Sequence, residues 1–283
     1  MSDQTTAIPL IDEEEAARAK ARRIAAIARW VLPITVLVIA IGSWHTIVTV
    51  NEIPHYILPS PGDVATALFE NWGSLVQSWY VTMAITAMAL TLAVTVGVGI
   101  AVLFNLSKWV EMSFFPYAVV LQVTPIIAVA PLIFIYVDSK IVGLLICAWI
   151  VAFFPILSNT ILGLNSADHN LRDLFQVYGA TRWQRLRYLQ APAALPYFLG
   201  GLRIAGGLSL IGAVVAEFVA GSGGIGSGLA FRILEASYRL QIPKMFAALL
   251  LIILTGIAIY LATNLLSHML LRKWHESAIK REV

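Results

Sequence analysis

The sequence predicts an all-α integral membrane protein: six membrane-spanning helices with a long basic segment near the middle that stays outside the bilayer. Three observations carry this. Apolar residues fill 59% of the 283 positions and charged residues only 12%, against about 25% charged in a soluble chain. Six stretches are long enough to cross about 30 Å of hydrocarbon, which takes roughly 20 mostly apolar residues each. The Lys and Arg residues almost entirely avoid those stretches and divide unevenly between their two sides.

The six stretches run about Trp30–Val50, Tyr80–Phe104, Phe114–Val137, Ile141–Leu164, Tyr197–Val219 and Met245–Leu270. They are expected to be helices because, without water, each segment must satisfy its own backbone groups. Barrel strands would alternate in polarity over about 10 residues, and these runs do not. The first run is longer than a signal-peptide core, and Trp44-His45-Thr46 offers no small-residue cleavage site, so it reads as a retained span.

Orientation follows from Lys and Arg in the short flanking segments. One side carries fourteen, among them Arg18, Lys20, Arg22, Arg23 and Arg29 before the first span and Arg272, Lys273, Lys280 and Arg281 after the last. The other side carries four: Lys140, Arg232, Arg239 and Lys244. Both termini are therefore expected in the cytoplasm, and the outer loop Asn51–Trp79 has neither Lys nor Arg. The organisation is a cytoplasmic tail over 1–29, a membrane domain over 30–271 that includes the cytoplasmic loop 165–196, and a second tail over 272–283. The first tail sets the acidic cluster Asp12–Glu15 ahead of five basic residues, an order that suits a short amphipathic helix. The single cysteine, Cys147, excludes an intrachain disulfide.

The loop 165–196 is long for a bundle connection. Leu171, Leu174, Phe175, Tyr178 and Arg182 recur three and four apart, as on one helix face. Gly179 supplies the positive φ of a sharp turn, and Thr181 is placed to cap a second, basic helix. Pro192 and Pro196 are expected to stop that helix and set the angle of the fifth span. A helix, a glycine elbow and a second helix, held against the membrane, are what a push-rod between two proteins requires.

At these residues the chain resembles the membrane-embedded permeases of ABC importers. Their cytoplasmic signature is Glu-Ala-Ala, three residues, Gly, nine residues, then Ile-x-Leu-Pro. Gly179, Leu189 and Pro192 fall at the matching spacings, and Asp173 stands for the Glu; Leu174, Phe175 and Ala191 depart from the pattern. Leu58-Pro59-Ser60-Pro61, the stretch Thr124-Pro125 to Pro131-Leu132 and the run Gly212–Gly228 are similar to the nitrate, sulfonate and taurine subgroup, which includes permeases for thiamine- and riboflavin-type precursors. The resemblance covers roughly Tyr56 to Trp274. It implies a type I importer permease fold, with the loop as a coupling helix that docks on an ATPase through Asp173, Gly179, Ala180, Thr181, Arg182, Trp183, Arg185 and Pro192. Arg182, Arg185, Arg187 and Trp183 form either that docking face or one that meets anionic headgroups.

The sequence holds no G-x-x-x-x-G-K-[ST] loop to cradle ATP. Gly221, Gly223 and Gly226 mimic a dinucleotide fingerprint, but they follow a membrane helix on the outer face, where flexible backbone for a gate is the better reading. The chain is expected to be no enzyme and to hold no cofactor or metal; ATP and Mg belong to a partner. The implied partners are a second permease copy, two ATPase subunits, a periplasmic or lipid-anchored solute-binding protein, the solute, and the lipid of the bacterial inner membrane, with no nucleic acid. A secondary transporter or channel not driven by ATP is the alternative, but it would show ionisable residues at mid-membrane in two similar halves.

Ionisable residues inside spans are costly and invite a functional reading. Arg203 and Glu217 share the fifth span, fourteen residues or about 21 Å apart, too far to pair. Arg203 either snorkels to the cytoplasmic surface or lines a pathway; Glu217, near the outer end, lines a pathway or holds a gate. Gln122 and Thr124, beside two prolines in the third span, and Asn159 in the fourth are further pathway candidates or else internal helix–helix bonds. Gly201, Ala205, Ser209 and Ala213 recur every four residues, a spacing for close helix packing, within one bundle or against a second copy. The five histidines are scattered and make no metal set.

Overall fold

The computed structural model describes residues 8–221 and 226–272, with side chains from residue 17 onward. The acidic cluster Asp12–Glu15 is thus described only as backbone, and Gly223, Lys273, His275, Lys280 and Arg281 lie outside the described residues. Among the latter every regular element is helical. In order these are α1 (Ile8–Val50), α2 (Pro61–Glu70), α3 (Trp72–Leu106), α4 (Lys108–Val123), α5 (Ile126–Tyr136), α6 (Lys140–Asn165), α7 (His169–Val177), α8 (Arg182–Arg185), a π turn (Leu186–Gln190), α9 (Ala191–Ala220), α10 (Leu229–Tyr238) and α11 (Ile242–Leu271).

Among the described residues five helices are long and apolar enough to cross a bilayer, and α4 with α5 makes a sixth if the bent pair counts as one span. That pair turns by 102° at Thr124–Pro125. Pro125 donates no N–H, and a residue before proline avoids helical backbone; Thr124 accordingly sits at φ −70°, ψ 120°. Pro131, inside α5, leaves its helix intact.

The chain forms two compact units, residues 1–66 and 67–283. The first contains α1, one helix of 43 residues that passes through Pro33. A short tail helix separate from the first span was expected, but the Ala-rich stretch before Trp30 has no breaker, so helix propagates into the span. Before α2, Ser60 and Asp63 form reciprocal capping bonds: Ser60 N–H donates to Asp63 Oδ2 (2.9 Å) and Asp63 N–H to Ser60 Oγ (3.2 Å), with Pro61 at the first helical position. Those bonds hold the Asp63 carboxyl below its usual range.

In the second unit α6 packs most extensively on α9 and next on α3. Small residues make this possible, since apolar helices in lipid gain by close backbone approach rather than by hydrophobic exclusion. A Cβ on Gly212 would stand 2.9 Å from Ala148 Cα, and one on Gly163 2.7 Å from Ala194 Cα. The four-residue stripe on α9 is buried throughout: Ala205, Ser209 and Ala213 are fully enclosed and Gly201 meets Asn159 and the Pro155 carbonyl of α6. Packing inside the bundle therefore occupies this stripe. The outer face of α11 is its counterpart, with Ile253, Leu254, Ile257 and Leu261 all exposed as lipid requires.

These contacts give a paired expectation. Gly212→Ala forces helix backbones apart and lowers stability in detergent by about 1–3 kcal/mol, whereas Gly207→Ala, whose Cβ meets open space, leaves it unchanged or slightly higher; thermal unfolding of both variants is the check.

Candidate functional site

The loop between α6 and α9 is assembled by local hydrogen bonding. Asp168 caps α7, its Oδ1 accepting from the N–H groups of Asn170 (2.7 Å) and Leu171 (3.4 Å). The helix closes on Gly179 at φ +67°: Gly179 N–H donates to Gln176 O (3.0 Å) and Ala180 N–H to Phe175 O (2.9 Å), the 5→2 and 6→1 bonds of a Schellman ending. Two residues on, Thr181 and Gln184 form a capping box that starts α8, with Thr181 N–H donating to Gln184 Oε1 at 2.8 Å. The elbow is therefore fixed on both sides by backbone-directed bonds, while its outer surface, including Asp173, Val177, Tyr178 and Trp183, stays exposed.

Pro192 and Pro196 do not stop the basic helix. Helix runs from Arg182 through Ala220, 39 residues, with the π turn Leu186–Gln190 directly ahead of Pro192. Here Ala191 N–H bonds to Leu186 O, five residues back, which widens the turn where the proline ring would otherwise meet a carbonyl. The loop thus continues into α9 without a hinge.

The basic side chains reach inward as well as outward. Arg182 Nη1 donates to Leu106 O at the end of α3 (3.0 Å), and Arg172 Nη2 and Gln190 Nε2 donate to Leu164 O near the end of α6 (3.2 Å each). Helix C-termini leave carbonyls without partners and carry a partial negative charge, so cations there are doubly placed. Arg172 and Gln190 were not singled out by sequence reasoning; the cue was a polar residue at a loop position just beyond the end of a span.

At the opposite end of α9, about 45 Å away for its 30 residues, Glu217 is buried at 2% exposure. Thr82 Oγ1 donates to its Oε1 (2.8 Å) and Ala230 N–H to its Oε2 (3.0 Å). The Leu229 N–H donates in turn to Thr82 Oγ1 (2.9 Å). The carboxylate therefore sits at the N-terminus of α10 and ties it to α3 and α9; any side chain on the capping residue Gly228 would collide with that carboxylate. Arg232 extends the set, bonding Ser78 (2.8 Å) and Glu235 (2.9 Å), whose carboxyl that bond holds below its usual range. Ser78, Thr82 and Thr86 are all buried at four-residue spacing on α3, a polar stripe in an apolar span that signals such a site.

Of the other pathway candidates, Arg203 donates to Asn264 Oδ1 on α11 (2.8 Å) and lies over the Tyr260 ring. Asn159 donates to Pro155 O and Thr124 to Val120 O, each within its own helix, and Gln122 is exposed on α4. Among the described residues no hydrogen bond or ion pair joins two of the five.

A helical membrane bundle with a rigid elbow at one end and a buried carboxylate latch at the other has the build of a transport subunit. The chain belongs to the family of binding-protein-dependent transport system inner membrane components, the permease subunits of ABC importers, whose model matches residues 93–275. The riboflavin transport system permease protein RibX of Chloroflexus aurantiacus is 33% identical over 87% of this chain and 90% of its own length. The formylaminopyrimidine transport permease protein ThiX of Halalkalibacterium halodurans is 32% identical over 76% and 85%. The fold matches a solved amino acid ABC transporter with TM-score 0.60 and 19% identity, over 72% of this chain and 97% of that one.

Thr82→Val keeps the shape of the side chain but strands the Leu229 N–H and one carboxylate oxygen. It should cost about 1–3 kcal/mol in thermal unfolding and raise the labelling rate of a cysteine placed at the exposed Ser237 of α10, the native Cys147 being buried.

Proposed function

We propose that this permease imports a small polar or anionic solute by alternating access, driven by an ATPase that grips the loop 165–196 from the cytoplasm. The observation that carries the proposal is the elbow at Gly179: positive φ, capped on both sides, exposed on its outer face, and bonded through Arg182, Arg172 and Gln190 to the ends of α3 and α6. A push on such an elbow moves span ends instead of bending a loop. Asp173, Ala180, Thr181, Trp183 and Arg185 belong to the gripped surface, and Pro192 to the continuous helix behind it.

The working unit is two permease copies, two ATPase subunits that bind ATP and Mg, and a periplasmic or lipid-anchored binding protein. The excess of Lys and Arg on the elbow side supports a cytoplasmic position for that side and for both termini. Residues 30–271 form the membrane domain between two cytoplasmic tails. Glu217, holding α10 at the outer end of α9, acts as the gate latch, and Gln122, Thr124, Asn159 and Arg203 are the polar positions offered to a passing solute. Heterocycles of the vitamin-precursor type are the favoured cargo class because one relative is named for riboflavin transport and another for formylaminopyrimidine transport, both heterocyclic compounds; sulfonate- or nitrate-like anions are the second.

A Cβ at Gly179 meets nothing within 4 Å, so substitution there tests backbone conformation and not packing. Transport in vesicles should fall in the order Asn, Ala, Val, by about tenfold or more for Gly179→Val, whose β-branched chain resists the left-handed region. The ATPase should still hydrolyse ATP in the Val variant but lose its stimulation by loaded binding protein. Full uptake by Gly179→Val would refute the coupling role.

A further inference from the structure

Beside the elbow lies a cavity of about 430 Å³, lined in part by the arginines that tie the elbow to the span ends, for whose interior the coupling role names no occupant. It opens between the end of α3, the start of α4, the end of α6 and the basic helix, and its lining includes Lys108, Arg172, Arg182 and Arg185 against a single carboxylate, Glu111. Glu111 is already engaged by Lys108 at 2.9 Å. Among the described residues, three guanidinium groups therefore share one cavity with no carboxylate of their own. Arginine cannot shed its proton to relieve the repulsion, as a crowded lysine would. The Nε atoms of Arg172 and Arg185 are buried without an acceptor, and burying such donors unmet is costly.

The start of α4 adds donors. Its first intrahelical bond runs from Glu111 N–H to Ser107 O, and no side chain caps it, so the N–H groups of the first turn are left without helix partners at the cavity's edge. Guanidinium forks bind carboxylate and phosphate alike, and the helix N-terminus beside them favours a phosphate-type anion, whose additional oxygens can meet both sets of donors. Trp109 in the lining and Trp183 on the loop are 80% and 60% exposed, the aromatic pairing found at the level of lipid headgroups.

We propose that this cavity is a binding site for a phosphate-type oxyanion, supplied either by the headgroup of an anionic lipid or by free phosphate, held by Arg172, Arg182 and Arg185 and by the start of α4. Its volume lies in the range of small-ligand sites. Occupancy bridges three span ends and the elbow, so the site sets the stiffness of the joint that the importer reading assigns to the ATPase. The proposal rests on that reading only for its consequence; binding itself is measured without ATP or transport.

The test uses the full chain purified in detergent and follows its melting temperature in three arms: phosphatidylcholine alone, phosphatidylcholine with added phosphatidylglycerol, and phosphatidylcholine with inorganic phosphate. Phosphatidylglycerol should raise the melting temperature of the wild type, and Arg185→Gln should weaken the half-effect by about tenfold. The Arg185 side chain hydrogen-bonds to no described group, so this variant should melt with the wild type in phosphatidylcholine; Arg185→Lys, keeping charge without the fork, serves if it does not, with a smaller loss expected. A rise with inorganic phosphate, lost in the same variants, assigns the site to the free ion and also upholds the proposal. No rise in either arm, or an equal rise in wild type and variants, overturns it. So does loss of ATPase co-purification in Arg185→Gln with no effect of phosphate or lipid, which would make the cavity a socket for a protein carboxylate.

Discussion

The ends of α3 and α6 are the constraint on which the rest of the molecule depends. A spanning helix satisfies its own backbone through the hydrocarbon, but its last four carbonyls have no donors within the helix. Here the donors come from the loop: Arg182 at Leu106, Arg172 and Gln190 at Leu164. The same bonds that complete the helices therefore join the loop to them. Because the π turn carries α8 into α9 without interruption, the loop is bonded to two span ends and covalently continuous with a third.

This arrangement explains why the helix contacts must be so close. A lever transmits displacement only if the elements behind it do not slide or compress, and lipid offers no hydrophobic pressure to hold them. Gly163 against Ala194 and Gly212 against Ala148 bring α6 and α9 to backbone contact at both ends of their shared length. At the far end Glu217 anchors α10 to α9 and α3 through Thr82. The elbow and the Glu217 contact are thus joined by a continuous packed route through α6 and α9.

Much of the elbow was legible in the sequence because its chemistry is local. Gly179 and Thr181 are dictated by turns within five residues, and the structure uses them as a Schellman ending and a capping box. The small-residue stripe on α9 was legible by spacing, though not its partner. What could not be read were bonds between elements distant in sequence: Arg182 to Leu106 spans 76 positions and Thr82 to Glu217 spans 135. Pro192 was misread because a π turn absorbs it, and no sequence rule distinguishes that from a helix stop. Pro125 marks where α4 ends, but nothing in the sequence gives the 102° angle to α5, since one proline fixes where a helix ends and tertiary packing fixes where it goes.

The central claim is that the elbow and the span ends move as one body. Spin labels at Gln176 and Leu162, both exposed, report the distance between elbow and α6 within one chain; in the proposed two-copy assembly a label at Gln176 alone reports the distance between copies. Pulsed dipolar spectroscopy on the assembled transporter, with and without ATP, should show the second distance shifting while the first keeps its position and width. A first distance that shifts or broadens while the span ends stay in place would mean the loop bends on its own, and the lever would be contradicted.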